Sequence, residues 1–279
     1  MKIYTFTYVV NAPTAFMYKS SSFESPVVSQ ATYSEKIVLL EECGNWLHVK
    51  TTYDDYKGWI KKECVMKITG HFFDDNQVIV KTQSLRSKIF SQPSVSETPL
   101  LEVPFGSRFN VLFKTPSWLQ VELVDGKIGF LQLNDVRIDT HALTATEGVD
   151  LAKQFINVPY ICGGRSSFGL DSSGFTQIIY REMGIKLPRD SKDQVNSTRL
   201  VTVIEEDVQK GDLVFFGVSI FGLYTKILHV GICLSEKEFI HTSSKTESKA
   251  VAITSFENFK WYCYDILSIK VFKRPIKWS

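Results

Sequence analysis

Three side chains in the C-terminal half of the chain are of the types that attack carbonyl groups or transfer protons. Ser172 lies in the segment Asp-Ser-Ser-Gly at 171–174, and His229 and His241 follow it. A hydroxyl that attacks a carbonyl group needs a base to take its proton, and an imidazole is the usual base. That imidazole works best when another polar group fixes its orientation. Ser172, His229 and His241 are therefore the candidate catalytic residues.

A helix is predicted to present Ser172 in its first turn. Apolar residues recur at helical spacing over 175–183, and Gly184 ends the pattern. Asp171 before the serine and Gly174 after it suit a tight turn into the helix. The unpaired N–H groups and the dipole at a helix start favour negative charge, which is the charge that an attacking group or an oxyanion carries.

The two histidines lie on strands predicted at 229–234 and 238–242. A short turn at 235–237 joins these strands, so a hairpin brings the imidazoles together on one sheet. Each feature alone also has a structural interpretation, because Ser-Ser-Gly commonly caps a helix and a single histidine on a strand is usually structural. The joint order of the residues and the motifs around them favour the catalytic interpretation.

The first half of the chain contains an internal repeat. Tyr33 precedes Trp46 by thirteen residues, Phe105 precedes Trp118 by the same distance, and a Gly-aromatic-aliphatic triplet follows each tryptophan. Short apolar runs broken by turn residues predict strands joined by hairpins. We expect two small β-barrels at 1–70 and 71–140, with a linker around 70–75, and a catalytic domain at 141–279. A capping box at 144–147 marks the start of that domain's first helix.

Six motifs resemble the NlpC-type papain-like cysteine peptidases of bacterial cell walls. In chain order they are Pro-Tyr-Ile-Cys-Gly-Gly at 159–164, Asp-Ser-Ser-Gly at 171–174, Leu-Pro-Arg-Asp-Ser at 187–191, Gly-Asp-Leu at 211–213, His-Val-Gly at 229–231 and Phe-Ile-His at 239–241. The repeated barrels resemble tandem bacterial SH3-like domains. The resemblance implies an α+β fold, in which two N-terminal SH3-like β-barrels precede a papain-like domain with an antiparallel sheet packed on helices.

Serine at position 172 departs from this family's pattern, which has the nucleophilic cysteine there. By the resemblance, His229 is the general base and His241 fixes its tautomer. A thiol loses its proton to an imidazole far more readily than a hydroxyl does, so serine should nearly abolish turnover. An engineered cysteine-to-serine replacement is the favoured interpretation, and a natural pseudoenzyme or serine variant is the alternative. Cys162, where relatives usually have tryptophan, is interpreted as a smaller pocket wall and not as a substitute nucleophile.

Relatives with two SH3-like domains resemble the γ-D-glutamyl-L-diamino acid endopeptidases of the dipeptidyl-peptidase VI type. These release L-Ala-γ-D-Glu from peptidoglycan stem peptides that have a free N-terminal L-Ala. By resemblance, Asp171 and Tyr56 bind the ammonium group of that alanine. Tyr160, Ser173 and Ser191 would line the γ-glutamyl pocket. For Tyr56, packing within its own barrel is an equal alternative.

Two other functions stay open at this stage. The first is a non-catalytic peptidoglycan-binding pseudoenzyme, in which Ser172 marks a natural loss of activity. The second is an acyltransferase or lipid amidase, against which the tandem barrels and the motif at 187–191 argue. Trp46, Trp59 and Trp118 are expected in the barrel cores, although the same residues on the surface would suggest glycan binding.

Composition excludes several classes of protein. The formal net charge is +2 and no dense run of Lys and Arg occurs, which disfavours nucleic acid as a partner. No stretch approaches the roughly 20 apolar residues of a membrane span, and no signal peptide is recognised. We expect a cytoplasmic protein, or a periplasmic or envelope protein if a signal has been removed.

The five scattered cysteines predict free thiols, and the chemistry needs no cofactor or metal.

Overall fold

The computed structural model describes residues 6–70, 72–73, 78–138, 141–220, 224–245, 248–259 and 268–276. The chain forms two compact units, one of Met1–Thr140 with Ser166–Phe168 and the other of His141–Arg165 with Gly169–Ser279. Residues 139–140, where the sequence predicts the second domain boundary, lie outside the described residues, as do residues 71, 74 and 75 of the predicted linker at 70–75. Cys263 lies outside them too.

The first copy of the repeat is a seven-stranded antiparallel sheet in the order β3-β2-β6-β5-β4-β1-β7. Alternation of buried and partly buried residues along β5 and β6 places Leu47, Val49 and Ile60 in its core. The strands are β1 (Phe6–Val10), β2 (Thr14–Tyr18), β3 (Val27–Thr32), β4 (Lys36–Cys43), β5 (Trp46–Thr51), β6 (Lys57–Lys61) and β7 (Val65–Thr69).

The second copy repeats this arrangement with a five-stranded sheet in the order β13-β12-β11-β8-β14 and a β9–β10 hairpin. Each copy has a bulge in the strand that precedes its tryptophan-led strand, between Leu39 and Glu41 and between Val111 and Phe113. The strand order and the bulge therefore recur in both copies. The strands are β8 (Ile79–Thr82), β9 (Arg86–Ile89), β10 (Leu101–Pro104), β11 (Arg108–Lys114), β12 (Trp118–Glu122), β13 (Ile128–Gln132) and β14 (Val136–Arg137).

The two copies share packing within the first unit. Tyr33 of the first copy stacks on Phe109 of the second, with ring centroids 5.3 Å apart, and its hydroxyl accepts a hydrogen bond from the N–H of Val124 at 2.9 Å. Phe72 and Phe73, inside the segment predicted as a linker, are buried in this shared core. Buried aromatic contacts hold the copies together here, where the sequence suggested only a connecting segment.

The prediction that the tryptophans fill the barrel cores is wrong. Trp46, Trp59 and Trp118 are only partly buried, because the residues that follow them on each strand face inward and strand side chains alternate between faces. Trp46 instead packs edge-on against Phe23, which is 65% exposed, at 5.0 Å between ring centroids. The ammonium group of Lys61 lies 4.8 Å from the centre of the Trp46 ring.

The second unit has helices on a six-stranded antiparallel sheet in the order β17-β22-β18-β19-β20-β21, which agrees with the predicted α+β class. Thr144 and Glu147 form the predicted capping box. Over residues 141–276, the helices are α1 (Ala145–Gln154), α2 (Ser172–Glu182) and α3 (Ser191–Gln194), and the strands are β15 (Arg165–Ser166), β16 (Gly169–Leu170), β17 (Leu200–Val203), β18 (Leu213–Ile220), β19 (Tyr224–Cys233), β20 (Glu238–Thr242), β21 (Val251–Ser255) and β22 (Ser268–Pro275).

The central pair β18–β19 forms the middle of this sheet, and α2 packs against β19 and β20. The Gly-Asp-Leu motif at 211–213 has a structural role: Asp212 is fully buried and pairs with Arg274 through two hydrogen bonds of 2.8 Å. Among the described helices, none is long and apolar enough to cross a membrane. Cys43, Cys64, Cys162 and Cys233 are free thiols.

Candidate active site

Helix α2 begins at Ser172, as the sequence predicts, and Asp171 is its N-cap. The Oδ1 atom of Asp171 accepts a hydrogen bond from the N–H of Gly174 at 2.8 Å, and Oδ2 accepts one from the N–H of Gly163 at 3.0 Å. The cap therefore ties the helix start to the preceding loop. It fixes the backbone that carries Ser172.

A buried ion pair supports this helix start. The guanidinium of Arg189 donates from Nη2 to Oδ2 of Asp171 at 2.6 Å and from Nη1 to Oδ1 at 2.9 Å. Nη1 also lies 2.9 Å from Oγ of Ser173. The side chain of Arg189 is 1% exposed and that of Asp171 is 18% exposed. The carboxylate is thus compensated by a cation within the protein and still reaches solvent.

Close backbone approach explains the glycine of the Asp-Ser-Ser-Gly motif. A Cβ atom on Gly174 would lie 2.2 Å from the carbonyl oxygen of Gly164, which is closer than atoms can approach. That carbonyl accepts the N–H of Asp171 at 3.1 Å. Only glycine at 174 lets the first turn of α2 sit against the loop that holds its N-cap.

The structure brings the two predicted histidines together on neighbouring strands. Nε2 of His229 on β19 lies 2.8 Å from Nδ1 of His241 on β20. Nε2 of His241 lies 2.9 Å from Oγ1 of Thr254 on β21. His229 is 3% exposed and His241 is fully buried. Three adjacent strands therefore carry an unbroken chain of hydrogen-bonded side chains.

Burial keeps both imidazoles neutral near neutral pH. It lowers the pKa of His241 to about 4. Burial, and to a smaller extent the neighbouring His241 and the ammonium group of Lys245, holds the pKa of His229 well below its usual range. A neutral imidazole can accept a proton, so His229 is in the form that a general base requires.

Aromatic rings enclose the histidine pair. Phe259 stacks on His229 at 5.8 Å between ring centroids and contacts His241 edge-on at 5.2 Å. Phe239 lies 4.7 Å from His241. Gly231 stands beside the pair, where a Cβ would lie 2.6 Å from the Phe239 ring and 3.3 Å from Cβ of His241. The glycine of the His-Val-Gly motif thus leaves room for the second histidine.

Ser172 and His229 both line one pocket of about 260 Å³ within the second unit. The pocket places the side chain at the start of α2 and the imidazole on β19 around the same space, next to the phenol of Tyr160. The full lining among the described residues is Tyr160, Ser172, Leu228, His229, Ser243, Ser244 and Lys245.

The predicted substrate-binding residues fall into different positions. Tyr160 lines the pocket, and burial raises its pKa to about 12, with smaller contributions from Cys162 and Asp171. Ser173 is buried behind the helix start, where its hydroxyl donates to Asp171 at 3.2 Å. Cys162 is exposed and is not among the described residues that line this pocket.

The other two predicted residues lie elsewhere in the chain. Ser191 is the first residue of the short helix α3 and is partly exposed. Tyr56 belongs to the first unit, where it packs against the core of the first barrel and its N–H donates to Oγ1 of Thr51 at 3.1 Å. Their roles toward a substrate stay predictions.

Three residues that support or line the site were not predicted from the sequence. Arg189 was part of a recognised motif, but its pairing with Asp171 requires two loops to meet, which spacing alone does not show. Thr254 and Lys245 lie in segments without a motif. Among the residues that the structure describes, no group of three or more His, Cys, Asp or Glu side chains is placed to hold a metal ion.

The comparisons with known proteins agree on one family. The NlpC/P60 family matches residues 157–267, and the bacterial dipeptidyl-peptidase SH3 domain matches residues 17–64. The crystal structure of an NlpC/P60 family protein from Bacillus cereus has a similar fold, with a TM-score of 0.80 at 22% sequence identity, over 98% of this chain and 100% of that one.

Curated relatives include two enzymes named γ-D-glutamyl-L-lysine dipeptidyl-peptidase. The one from Bacillus cereus is 30% identical over 67% of this chain, and the match spans 59% of that relative's own length. The one from Bacillus subtilis is 26% identical over 84% of this chain and 78% of its own length. Dipeptidyl-peptidase 6 of Lysinibacillus sphaericus is 28% identical over 84% of this chain and 87% of its own length.

Proposed function

Because the chain belongs to the NlpC/P60 family and carries a bacterial dipeptidyl-peptidase SH3 domain, we propose that its fold serves peptide-bond hydrolysis in peptidoglycan stem peptides. The bond cleaved would join γ-D-glutamate to the diamino acid, in a peptide with a free N-terminal L-Ala. The names of the relatives support this substrate. The observation that carries the proposal is that Ser172 and His229 line one pocket, with His229 bonded to His241.

The reaction would use a nucleophile at position 172. With cysteine there, His229 takes the thiol proton, and the sulfur attacks the γ-carbonyl carbon to give a tetrahedral intermediate. Asp171 already occupies the N–H of Gly174, so the amides of Ser172 and Ser173 at the helix start are the donors that would face the oxyanion. Collapse passes the proton from His229 to the leaving amine, and water then hydrolyses the thioester.

Serine at position 172 makes this chain an inactive form in our proposal. The imidazole of His229 is neutral because it is buried, and it is a weak base toward a hydroxyl, whereas a thiol of pKa about 8.5 is within its reach. The Ser172→Cys variant should therefore hydrolyse the peptide. Whether the serine is engineered or natural does not change this expectation.

Recognition of the substrate amine would involve Asp171 and Tyr56, as the family resemblance implies. Asp171 keeps part of its carboxylate exposed although Arg189 pairs with it, so it can accept a hydrogen bond from an ammonium group. Tyr160 lies in the pocket itself and would contact the γ-glutamyl group. Ser173 and Ser191 complete the proposed set.

A second candidate function is a peptidoglycan-binding pseudoenzyme, and Ser172 is the observation that favours it. Such a protein would keep the pocket and the SH3-like domain and would bind the stem peptide without cleaving it. A cytoplasmic location also stays a proposal, which cell fractionation would test.

Hydrolysis assays on the Ser172→Cys variant test the proposal. The substrates are L-Ala-γ-D-Glu-L-Lys, the corresponding diaminopimelate peptide, and each peptide with its alanine N-acetylated. The unmodified chain and Ser172→Ala are the controls. We expect cleavage of the free-amine peptides alone, with release of L-Ala-γ-D-Glu. Peptide binding without cleavage by Ser172→Cys would favour the pseudoenzyme, and neither binding nor cleavage would contradict both functions.

A further inference from the structure

Thr254 stands at the end of the hydrogen-bonded chain that begins at His229. Its Oγ1 atom lies 2.9 Å from Nε2 of His241, whose Nδ1 lies 2.8 Å from Nε2 of His229. We infer that Thr254 is a positioning residue that sets the tautomers of both histidines. This inference rests on the proposed function, because it assigns His229 the role of base.

The required proton positions follow from the chemistry of neutral imidazole, which has one N–H donor and one acceptor nitrogen. To take a proton from the group at position 172, His229 must accept at Nδ1, so its own hydrogen must be on Nε2. That hydrogen is donated to Nδ1 of His241, whose hydrogen must then be on Nε2. The last N–H needs an acceptor, and Oγ1 of Thr254 is placed to be one.

Loss of this acceptor would reverse the direction of the hydrogen bond between the two histidines. Without the hydroxyl, a hydrogen on Nε2 of His241 would be buried without a partner, which is unfavourable. His241 would then hold its hydrogen on Nδ1 and donate it to His229. His229 would carry its own hydrogen on Nδ1 and could no longer accept one there.

Strand pairing holds Thr254 in place. In the β20–β21 ladder, Phe239 pairs with Thr254 and His241 with Ala252, so these four side chains share one face of the sheet. The opposite neighbour of His241 is thus a small alanine, and the threonine reaches across diagonally to the imidazole. A β-branched residue is also common in strands for purely structural reasons. Experiments must therefore separate the hydroxyl from the shape of the side chain.

The Thr254→Val variant removes the hydroxyl and keeps the shape, and Thr254→Ser keeps the hydroxyl. Thr202→Val is the matched control, because Thr202 is an exposed strand residue at the far edge of the same sheet. Long-range proton–nitrogen NMR of ¹⁵N-histidine protein reports which ring nitrogen carries hydrogen. The chain as it stands, with Ser172, is suitable because no substrate is needed.

We expect His229 and His241 to be protonated on Nε2 in the unchanged chain, in Thr254→Ser and in Thr202→Val. Thr254→Val should move both hydrogens to Nδ1. Unchanged tautomers in Thr254→Val, or hydrogens already on Nδ1 in the unchanged chain, would overturn the inference. Loss of folding in Thr254→Val would show in the dispersion of its spectrum, and Thr254→Ala would then replace it.

Activity gives a second measure in the Ser172→Cys background. Thr254→Val should lower kcat by about tenfold or more with little change in KM, and Thr254→Ser should restore most of it. Equal kcat values for Thr254→Val and Thr254→Ser would contradict the positioning role. If Ser172→Cys is itself inactive, the proposed function fails, and the tautomer measurement still decides the role of Thr254.

Discussion

Ser172 and His229 line one pocket, and the residues that support them are built in opposite ways. We call Ser172 with its supports Asp171 and Arg189 the helix wall, and His229 with its support His241 the strand wall. The helix wall contains full charges, Asp171 and Arg189, that compensate one another through two hydrogen bonds. The strand wall contains ionisable groups, His229 and His241, that burial keeps neutral. The comparison suggests that the helix wall fixes the backbone of the nucleophile, and that the strand wall keeps a base ready to accept its proton.

Removal of the cation from the helix wall should have the largest effect. Arg189→Met would leave the carboxylate of Asp171 without its partner, and breaking a buried pair in this way costs about 3–5 kcal/mol. Urea denaturation measures the change in the free energy of unfolding. Lys192→Met is the matched control, because Lys192 is 69% exposed and lies 3.9 Å from Asp190, so its loss should cost under about 1 kcal/mol. Similar costs for the two variants would refute the account of the helix wall.

Acid should lower the stability of the folded protein, because the buried histidines of the strand wall resist protonation. The pKa of His241 is about 4 when folded and about 6.5 when unfolded, so the unfolded chain binds a proton first as pH falls. The contribution of His241 to the free energy of unfolding is fully present above pH 6.5. It falls by about 3 kcal/mol as the pH falls toward 4. The stability difference between the unchanged chain and His241→Asn should therefore shrink by this amount from pH 7 to pH 4. A difference independent of pH would show that burial does not lower this pKa.

A methyl group at position 231 should disturb the strand wall directly. Gly231→Ala places a Cβ 2.6 Å from the Phe239 ring and 3.3 Å from Cβ of His241. Overpacking of this kind costs about 1–3 kcal/mol, measured by thermal or urea unfolding. In the Ser172→Cys background the same change should lower kcat, since His241 must move. Full activity and unchanged stability would mean that the ring of Phe239 moves aside without a cost in free energy.

The smallest expected effect comes from the charge of Lys245. Its ammonium group lowers the pKa of His229, so Lys245→Met should raise that pKa. The acid limb of kcat/KM in the Ser172→Cys background would then move to higher pH, because the base must be neutral to act. Added salt should reduce the difference. Lys237→Met, which changes an exposed lysine on the turn before β20, should leave the limb in place.

The sequence predicts the local parts of both walls, and in each wall it misses a partner that comes from a distant segment. The N-cap at Asp171, the helix from Ser172 and the hairpin of His229 and His241 all follow from local signals such as turn residues and periodicity. The partner of Asp171 does not, because Arg189 reaches it from a separate loop. Thr254 was also missed, because one threonine on a strand has no local signal, and only strand register places it beside His241.

The first unit shows the same limit in its core. The repeat was visible in the spacing of Tyr33 and Trp46, yet the tryptophans were expected inside and are only partly buried. An alternating pattern does not state which set of residues faces inward when both sets are apolar. The stacking of Tyr33 on Phe109 joins two copies, and a repeat pattern read along one chain does not reveal such contacts.

Alkylation of a thiol at position 172 tests the central claim, that this position is the nucleophile site served by His229. The Ser172→Cys variant, its combination with His229→Ala, and its combination with the surface change His141→Ala are treated with iodoacetamide at pH 7, and labelling is mapped by peptide mass spectrometry. Cys43 and Cys162 are exposed thiols of the same chain and serve as internal standards. We predict that the new thiol reacts at least about tenfold faster than both standards, and that His229→Ala, but not His141→Ala, removes this advantage. A thiol at 172 that reacts no faster than Cys43, or whose rate does not depend on His229, would contradict the account.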